Sequence, residues 1–274
     1  MRNQPRTSGH LGGPARRSLP PSGFTLIELL TVIAIIGILA AIVIPTVGTV
    51  REKAQRAVDA NNLREILKAA QIYAGDNQDR LPDPQNIATS VLNAPQRAFL
   101  WAGILAKNNI LTDPMFYFAK NDPAFSGTYP TFIINPSAQR NSLHTSFTTS
   151  RSPSWEFVGG VKMGDAATSP VIYTRGLQTN GLWSATSGVY KDTGGYIAFL
   201  GGNVSFYPNV NTNSPFYSNN SNSTSTTRPT NILQAIPFNT SNANLSGRIY
   251  GLPPTSGAGG MVGSANGTLA QRGP

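Results

Sequence analysis

From Phe24 to Ile44 the chain runs 21 residues with a single charge, Glu28, and this stretch limits any fold built around it. A helix rises about 1.5 Å per residue and the hydrocarbon core of a bilayer is about 30 Å thick, so the run is long enough to span it. Upstream stand Arg2, Arg6, Arg16 and Arg17, with no acidic residue before Gly23. The positive-inside rule keeps such a flank in the cytoplasm and sends the rest of the chain outward. A conventional secretory signal fits poorly, because Leu39 stands where a cleavage site at Leu39-Ala40-Ala41 wants a small residue. Arg16-Arg17, followed by Pro20-Pro21, reads as basic flank rather than as a twin-arginine signal. A plain signal anchor carrying an unrelated exported domain is the alternative that hydropathy leaves standing.

Glu28 argues against the plain anchor. A carboxylate in hydrocarbon is costly, and an anchor with no other task would carry leucine there. It calls for a positive partner at the same depth. A cut after Gly23 supplies one, the new amino group of Phe24, either within the same helix or from a neighbouring helix, where the pair would set axial register. Burial strengthens such a pair and penalises the carboxylate left alone, so one residue both attracts the right register and rejects the wrong one.

These residues resemble the type IV pilins and the pseudopilins of type II secretion systems. The likeness rests on Gly23 followed by Phe24-Thr25-Leu26-Ile27-Glu28-Leu29-Leu30, the basic leader, the apolar helix, and Pro45 at the twenty-second position counted from Phe24. The resemblance implies that Gly23 is the last leader residue for a prepilin peptidase, that Phe24 becomes N-methylated, and that Glu28 is the assembly glutamate. It also implies a helix partly unwound in the filament between Gly37 and Pro45. Gly37 does weaken a helix, and Pro45 lacks the amide that would bond to Ala41. The implied partners are the peptidase and methyltransferase, identical or related pilin subunits, inner-membrane assembly machinery, and membrane lipid before assembly. The implied location is a single pass of the inner membrane, leader cytoplasmic and head periplasmic, followed by a pseudopilus or a surface filament.

Beyond Pro45 the pattern becomes amphipathic. Val47, Val50, Ala54, Ala57, Val58, Leu63, Ile66, Leu67, Ala70 and Tyr73 recur at helical spacing, with charged residues between them and Asn61-Asn62 interrupting the stripe. One helix is expected from about Phe24 to Gly75. Candidate strands follow at Thr131 to Ile134, Trp155 to Val158 and Val171 to Arg175. In GYIAFL-GG-NVSFY, a two-residue turn at Gly201-Gly202 would pair Phe199 with Val204 and Ile197 with Phe206. The expected fold class is α+β, a long helix packed on a small antiparallel sheet. Its organisation reads as leader 1–23, transmembrane or filament-core half 24–45, amphipathic half 46–76, β-rich head 77–210 and a polar low-complexity tail 211–274. That tail, rich in Asn, Ser, Gly, Pro and Thr, has little apolar surface to offset the entropy of ordering.

The sequence offers little chemistry. There is no cysteine, and His10 precedes the proposed cut, which leaves His144 without an acidic or thiol cluster beside it. No nucleophile elbow, metal-spaced histidine pair or phosphate loop occurs, so no catalytic residue, cofactor or metal ligand is assigned and the chain does not read as an enzyme. Asp76-Asn77-Gln78-Asp79 lacks the glycine and terminal glutamate of a calcium loop, and no Asp or Glu follows Asp192, where major pseudopilins hold calcium. The formal charge of +9 falls to +5 without the leader arginines, so nucleic acid is disfavoured as a partner. The other function class left open is a signal-anchored periplasmic binding module, such as a DNA-uptake or adhesive minor pilin, whose binding would weaken steeply with salt.

Overall fold

A computed structural model describes residues 23–137, 139–149, 153–211, 214–217, 229, 231–242, 246–252 and 260–271. The leader arginines and most of the 211–230 stretch lie outside the described residues. The chain divides into two compact units, residues 1–51 and 52–274. The long helix α1 (Leu26–Asp76) contributes its first half to one unit and its second half to the other.

In the first unit the described residues are almost wholly helical, and their large apolar side chains are exposed from Leu26 to Val50. By length and composition this half of α1 is able to cross a membrane. Between Gly37 and Pro45 the helix is unbroken in the single chain, unlike the filament state that the resemblance implies.

In the second unit α1 buries Ala60, Leu63, Ile66, Leu67, Ala70 and Ala74, a stripe with the 3.6-residue period of one helical face. The stripe starts later than the sequence pattern suggests. Val58 is 51% exposed, and Asp59 takes the buried position at the head of the stripe. Asn62 is buried in the helix without breaking it, so the Asn61-Asn62 pair marks no interruption.

The sheet has six strands in the order β4-β3-β2-β1-β5-β6, with every pairing antiparallel. The strands are β1 (Trp155–Gly159), β2 (Pro170–Thr174), β3 (Gly195–Phe199), β4 (Val204–Tyr207), β5 (Arg248–Tyr250) and β6 (Thr268–Leu269). The fold class is thus α+β, a long helix with an antiparallel sheet. The second and third candidate strands are present as β1 and β2, whereas Thr131 to Ile134 contributes only an isolated bridge between Ile134 and Leu143. Pro130 and Pro136 bound that segment and deny it a longer ladder.

The β3–β4 hairpin forms, but in a different register. Ala198 faces Val204, Ile197 faces Ser205 and Tyr196 faces Phe206. The loop holds three residues rather than two, closed by Gly202 N–H to Phe199 O at 2.8 Å and by Phe199 N–H to Asn203 O at 2.9 Å. Gly202 sits at φ 91°, the left-handed position that such three-residue loops reserve for glycine. A one-residue slip exchanges the faces of the hairpin. Tyr196 and Phe206 therefore meet edge to face at 5.1 Å, and the Arg56 guanidinium of α1 lies over Phe206 at 5.0 Å.

The same face carries Trp155 and Phe157, and Phe157 stacks on Trp101 of the short helix α2 (Leu100–Lys107) at 4.8 Å. The sheet also draws strands from the stretch read as polar tail. β5 pairs with β1, and β6 pairs with β5. Ile232, Leu233, Ile236 and Val262 are buried in the core, apolar residues too sparse along the chain to signal order by composition.

Candidate assembly site at the helix N-terminus

The first turn of α1 is built by a reciprocal cap. Thr25 precedes the helix; its Oγ1 accepts the Glu28 amide at 3.2 Å, and the Glu28 carboxylate accepts the Thr25 amide at 2.8 Å. The Thr25 hydroxyl also donates to Glu28 Oε2 at 2.8 Å. A threonine followed three residues later by a glutamate is the capping-box pattern, and it satisfies two of the amide donors that a helix start leaves without partners. In the sequence, Thr25-Leu26-Ile27-Glu28 carries this signal, which gives Thr25 a role beside Glu28.

The other site residues flank this turn. Gly23 stands in open space, and Phe24 is 75% exposed. Around Glu28 the helix presents Leu26, Ile27, Leu30 and Ile33, all exposed, so the one charge lies at the head of a bare apolar surface. Pro45 sits inside the helix, where Ala41 loses its amide partner. The Thr46 and Thr49 hydroxyls donate back to the carbonyls of Val43 and Thr46 at 2.8 and 2.9 Å.

A family description, the prokaryotic N-terminal methylation motif, matches residues 21–44. The chain is 35% identical over 89 residues to the type IV wide pilus major component PilA4 of Thermus thermophilus, covering 28% of this chain and 68% of that relative. The chain belongs to the type IV pilin and pseudopilin family. The pilin is also 35% identical over 77 residues to the type II secretion system core protein G of Aeromonas hydrophila, covering 53% of it. To the core protein G of Pseudomonas aeruginosa it is 43% identical over 56 residues, covering 39%. It thus spans about half the length, or less, of these secretion relatives. No solved structure matches the chain.

The family assignment agrees with the polar chemistry of the pilin's head, where charged groups serve packing. Asp122 and Arg175, both buried, form an ion pair at 2.6 Å. Arg175 also donates to the carbonyls of Pro153 and Ser187, and the Ser154 hydroxyl donates to the second Asp122 oxygen at 2.5 Å. Asp59 of α1 accepts the Tyr190 hydroxyl at 2.6 Å, and burial raises its carboxyl above the usual range. His144 caps the one-turn helix α3 (Thr145–Thr148) by accepting the Ser146 amide at its Nδ1. Among the described residues no group of three or more His, Asp or Glu is gathered to hold a metal ion.

Proposed function

We propose that this pilin is made as a membrane-inserted precursor, cut after Gly23, N-methylated at Phe24, and assembled through α1 into a type II secretion-like pseudopilus or a type IV pilus. Residues 1–23 act as the cytoplasmic leader read by a prepilin peptidase and methyltransferase. Membrane lipid covers the apolar half of α1 until neighbouring subunits replace it, with inner-membrane machinery driving the exchange. The head then stands on the periplasmic side. The observation that carries this reading is Glu28, the only charge between Phe24 and Ile44, held at the exposed head of an apolar helix inside the matched motif.

The cap gives Glu28 two successive roles. In the uncut chain its carboxylate is satisfied by Thr25. After cleavage the Phe24 amine appears one residue before Thr25 and four before Glu28, and Glu28 of a subunit already in place can take the amine of the next. A cation and an anion that meet only at one axial offset select that offset, because any other leaves a charge unpaired among apolar side chains.

Fractionation of native cells tests the reading. The chain is expected in the inner membrane and in filaments sheared from the surface, or, for a short secretion pseudopilus, in the membrane alone. Recovery as a soluble protein free of membrane and filament would overturn it.

A further inference from the structure

Among the described residues of the head, Glu156 is a buried carboxyl whose oxygens lack a well-formed hydrogen bond. Glu156 lies on β1, in the interior of the sheet between β2 and β5, and is fully buried. Strand alternation turns it away from the face that holds Trp155 and Phe157, and its neighbour across β2 is Tyr173. Two glycines close on it. A Cβ on Gly251 would come within 2.7 Å of the Glu156 Cγ and carboxyl, and one on Gly263 within 2.5 Å of Oε2. No hydrogen bond of good geometry reaches either carboxyl oxygen or the Tyr173 hydroxyl, although that hydroxyl and the Gly263 amide stand close enough to the carboxyl to favour its charge. Buried polar groups left in this way are rare and need a reason.

The charged and titratable groups around it are few. From β2 come Tyr173 and, just past the strand end, Arg175, which is bound to Asp122 and to the carbonyls of Pro153 and Ser187. From β3 the neighbour of Tyr173 is Ile197. β5 turns Arg248 to the opposite face, toward Gln85, and the stretch around Gly263 brings only a backbone amide. Burial pushes the Glu156 carboxyl up to about 7, outweighing Tyr173, Arg175 and the Gly263 amide, which favour its charge.

We propose that Glu156 is a proton latch for the strap formed by residues 260–271, which closes over the carboxyl while it is neutral and loosens when it ionises. Backbone hydrogen bonds tie the strap down along its length, among them Thr179 N–H to Gly260 O at 2.7 Å, Ala98 N–H to Ala265 O at 2.9 Å and Gln271 N–H to Leu233 O at 3.0 Å. Gly251 N–H donates to Ser264 O at 3.0 Å, Val262 N–H to Leu177 O at 3.0 Å, and Ala270 N–H to Gly247 O at 2.9 Å, beside the short β5–β6 ladder. A charged carboxylate under Gly263 would be fully buried, with the nearby Arg175 committed to Asp122. Lifting the strap opens it to solvent.

The sign follows from proton linkage. The closed state holds its proton up to about pH 7, while an open, solvated carboxyl loses it near the ordinary value of 4.5. Between those limits the opening constant rises about tenfold per pH unit, and above the upper one it levels off. The strap is tight in acid and loose at neutral pH and beyond.

Hydrogen exchange of the full chain in detergent micelles, followed by mass spectrometry from pH 5 to pH 9 and corrected for intrinsic rates, reads this directly. Peptides covering 260–271 should open about tenfold more per unit up to about pH 7 and then level. Glu156→Gln should remove the slope. Tyr173→Phe, which keeps the carboxyl but deletes a group favouring its charge, should move the break to higher pH and serves if Glu156→Gln folds poorly. A wild-type strap indifferent to pH, a slope that survives in Glu156→Gln, or a break unmoved in Tyr173→Phe overturns the latch.

Discussion

Glu28→Gln is expected to leave the precursor inserted and cleaved but to lower recovered filament by about tenfold or more. The substitution separates two roles that Glu28→Ala would remove together. Glutamine serves in a capping box nearly as well as glutamate, so the bond to the Thr25 amide, 2.8 Å in the wild-type chain, is kept and the first turn of α1 holds. What is lost is the charge. If register is selected by carboxylate against amine, Glu28→Gln should behave like Glu28→Ala in assembly and like wild type in helix content. Quantitative immunoblotting of sheared and membrane fractions measures the first, and circular dichroism of the purified chain the second. Normal filament yield from Glu28→Gln would mean that the cap, not the charge, is what the site needs.

The second large effect lies in the head. Arg175→Met should destabilise it by roughly 3–5 kcal/mol, because the buried Asp122 charge would lose its cation and keep only the Ser154 hydroxyl and the Ala124 amide as donors. For a unit of this size that corresponds to a fall in melting temperature of about 10 °C or more, measurable by calorimetry on the chain in micelles. Arg175→Met combined with Asp122→Leu should recover most of the loss, since a buried ion pair replaced as a whole by apolar groups is often close to neutral. The same double variant should leave insertion and cleavage unchanged, as both residues are remote in sequence from Gly23 and Phe24. A single variant as stable as wild type would show that water reaches Asp122 and that the pair is not buried in solution.

Particular residues explain what the sequence made legible. The membrane half of α1 is plain because a run of 21 residues with one charge has few readings, and Glu28 stands out because nothing else there is polar. β1 and β2 are short runs of β-branched and aromatic residues, so they declare themselves. The hairpin was visible but its register was not. Gly201-Gly202 suits a two-residue turn, yet a three-residue loop with Gly202 in the left-handed region gives Tyr196 and Phe206 a face against Arg56. Tertiary packing made that choice.

The buried polar groups were hidden for a different reason. Asp59 falls at the helical spacing of Leu63, Ile66 and Ala70, but a charge at such a position is normally read as the end of the stripe, and its partner Tyr190 is 131 residues away. Asp122 and Arg175 are separated by 53 residues, and Glu156 meets Gly263 across a still longer span. No local pattern joins them. β5 and β6 escaped because three- and two-residue strands embedded in Asn-, Ser- and Gly-rich sequence have no periodicity of their own, and the sheet edge they complete supplies their order. At the N-terminus Thr25-Leu26-Ile27-Glu28 carries the capping-box pattern in four consecutive residues, but the acid's place in an apolar run masks its second role as a cap.

The most direct test of the central claim is the intact mass and N-terminal sequence of the native protein, taken separately from membranes and from sheared filaments. A chain that begins at N-methylated Phe24 in the assembled fraction is the predicted result, and an assembled chain that still begins at Met1 would contradict the account.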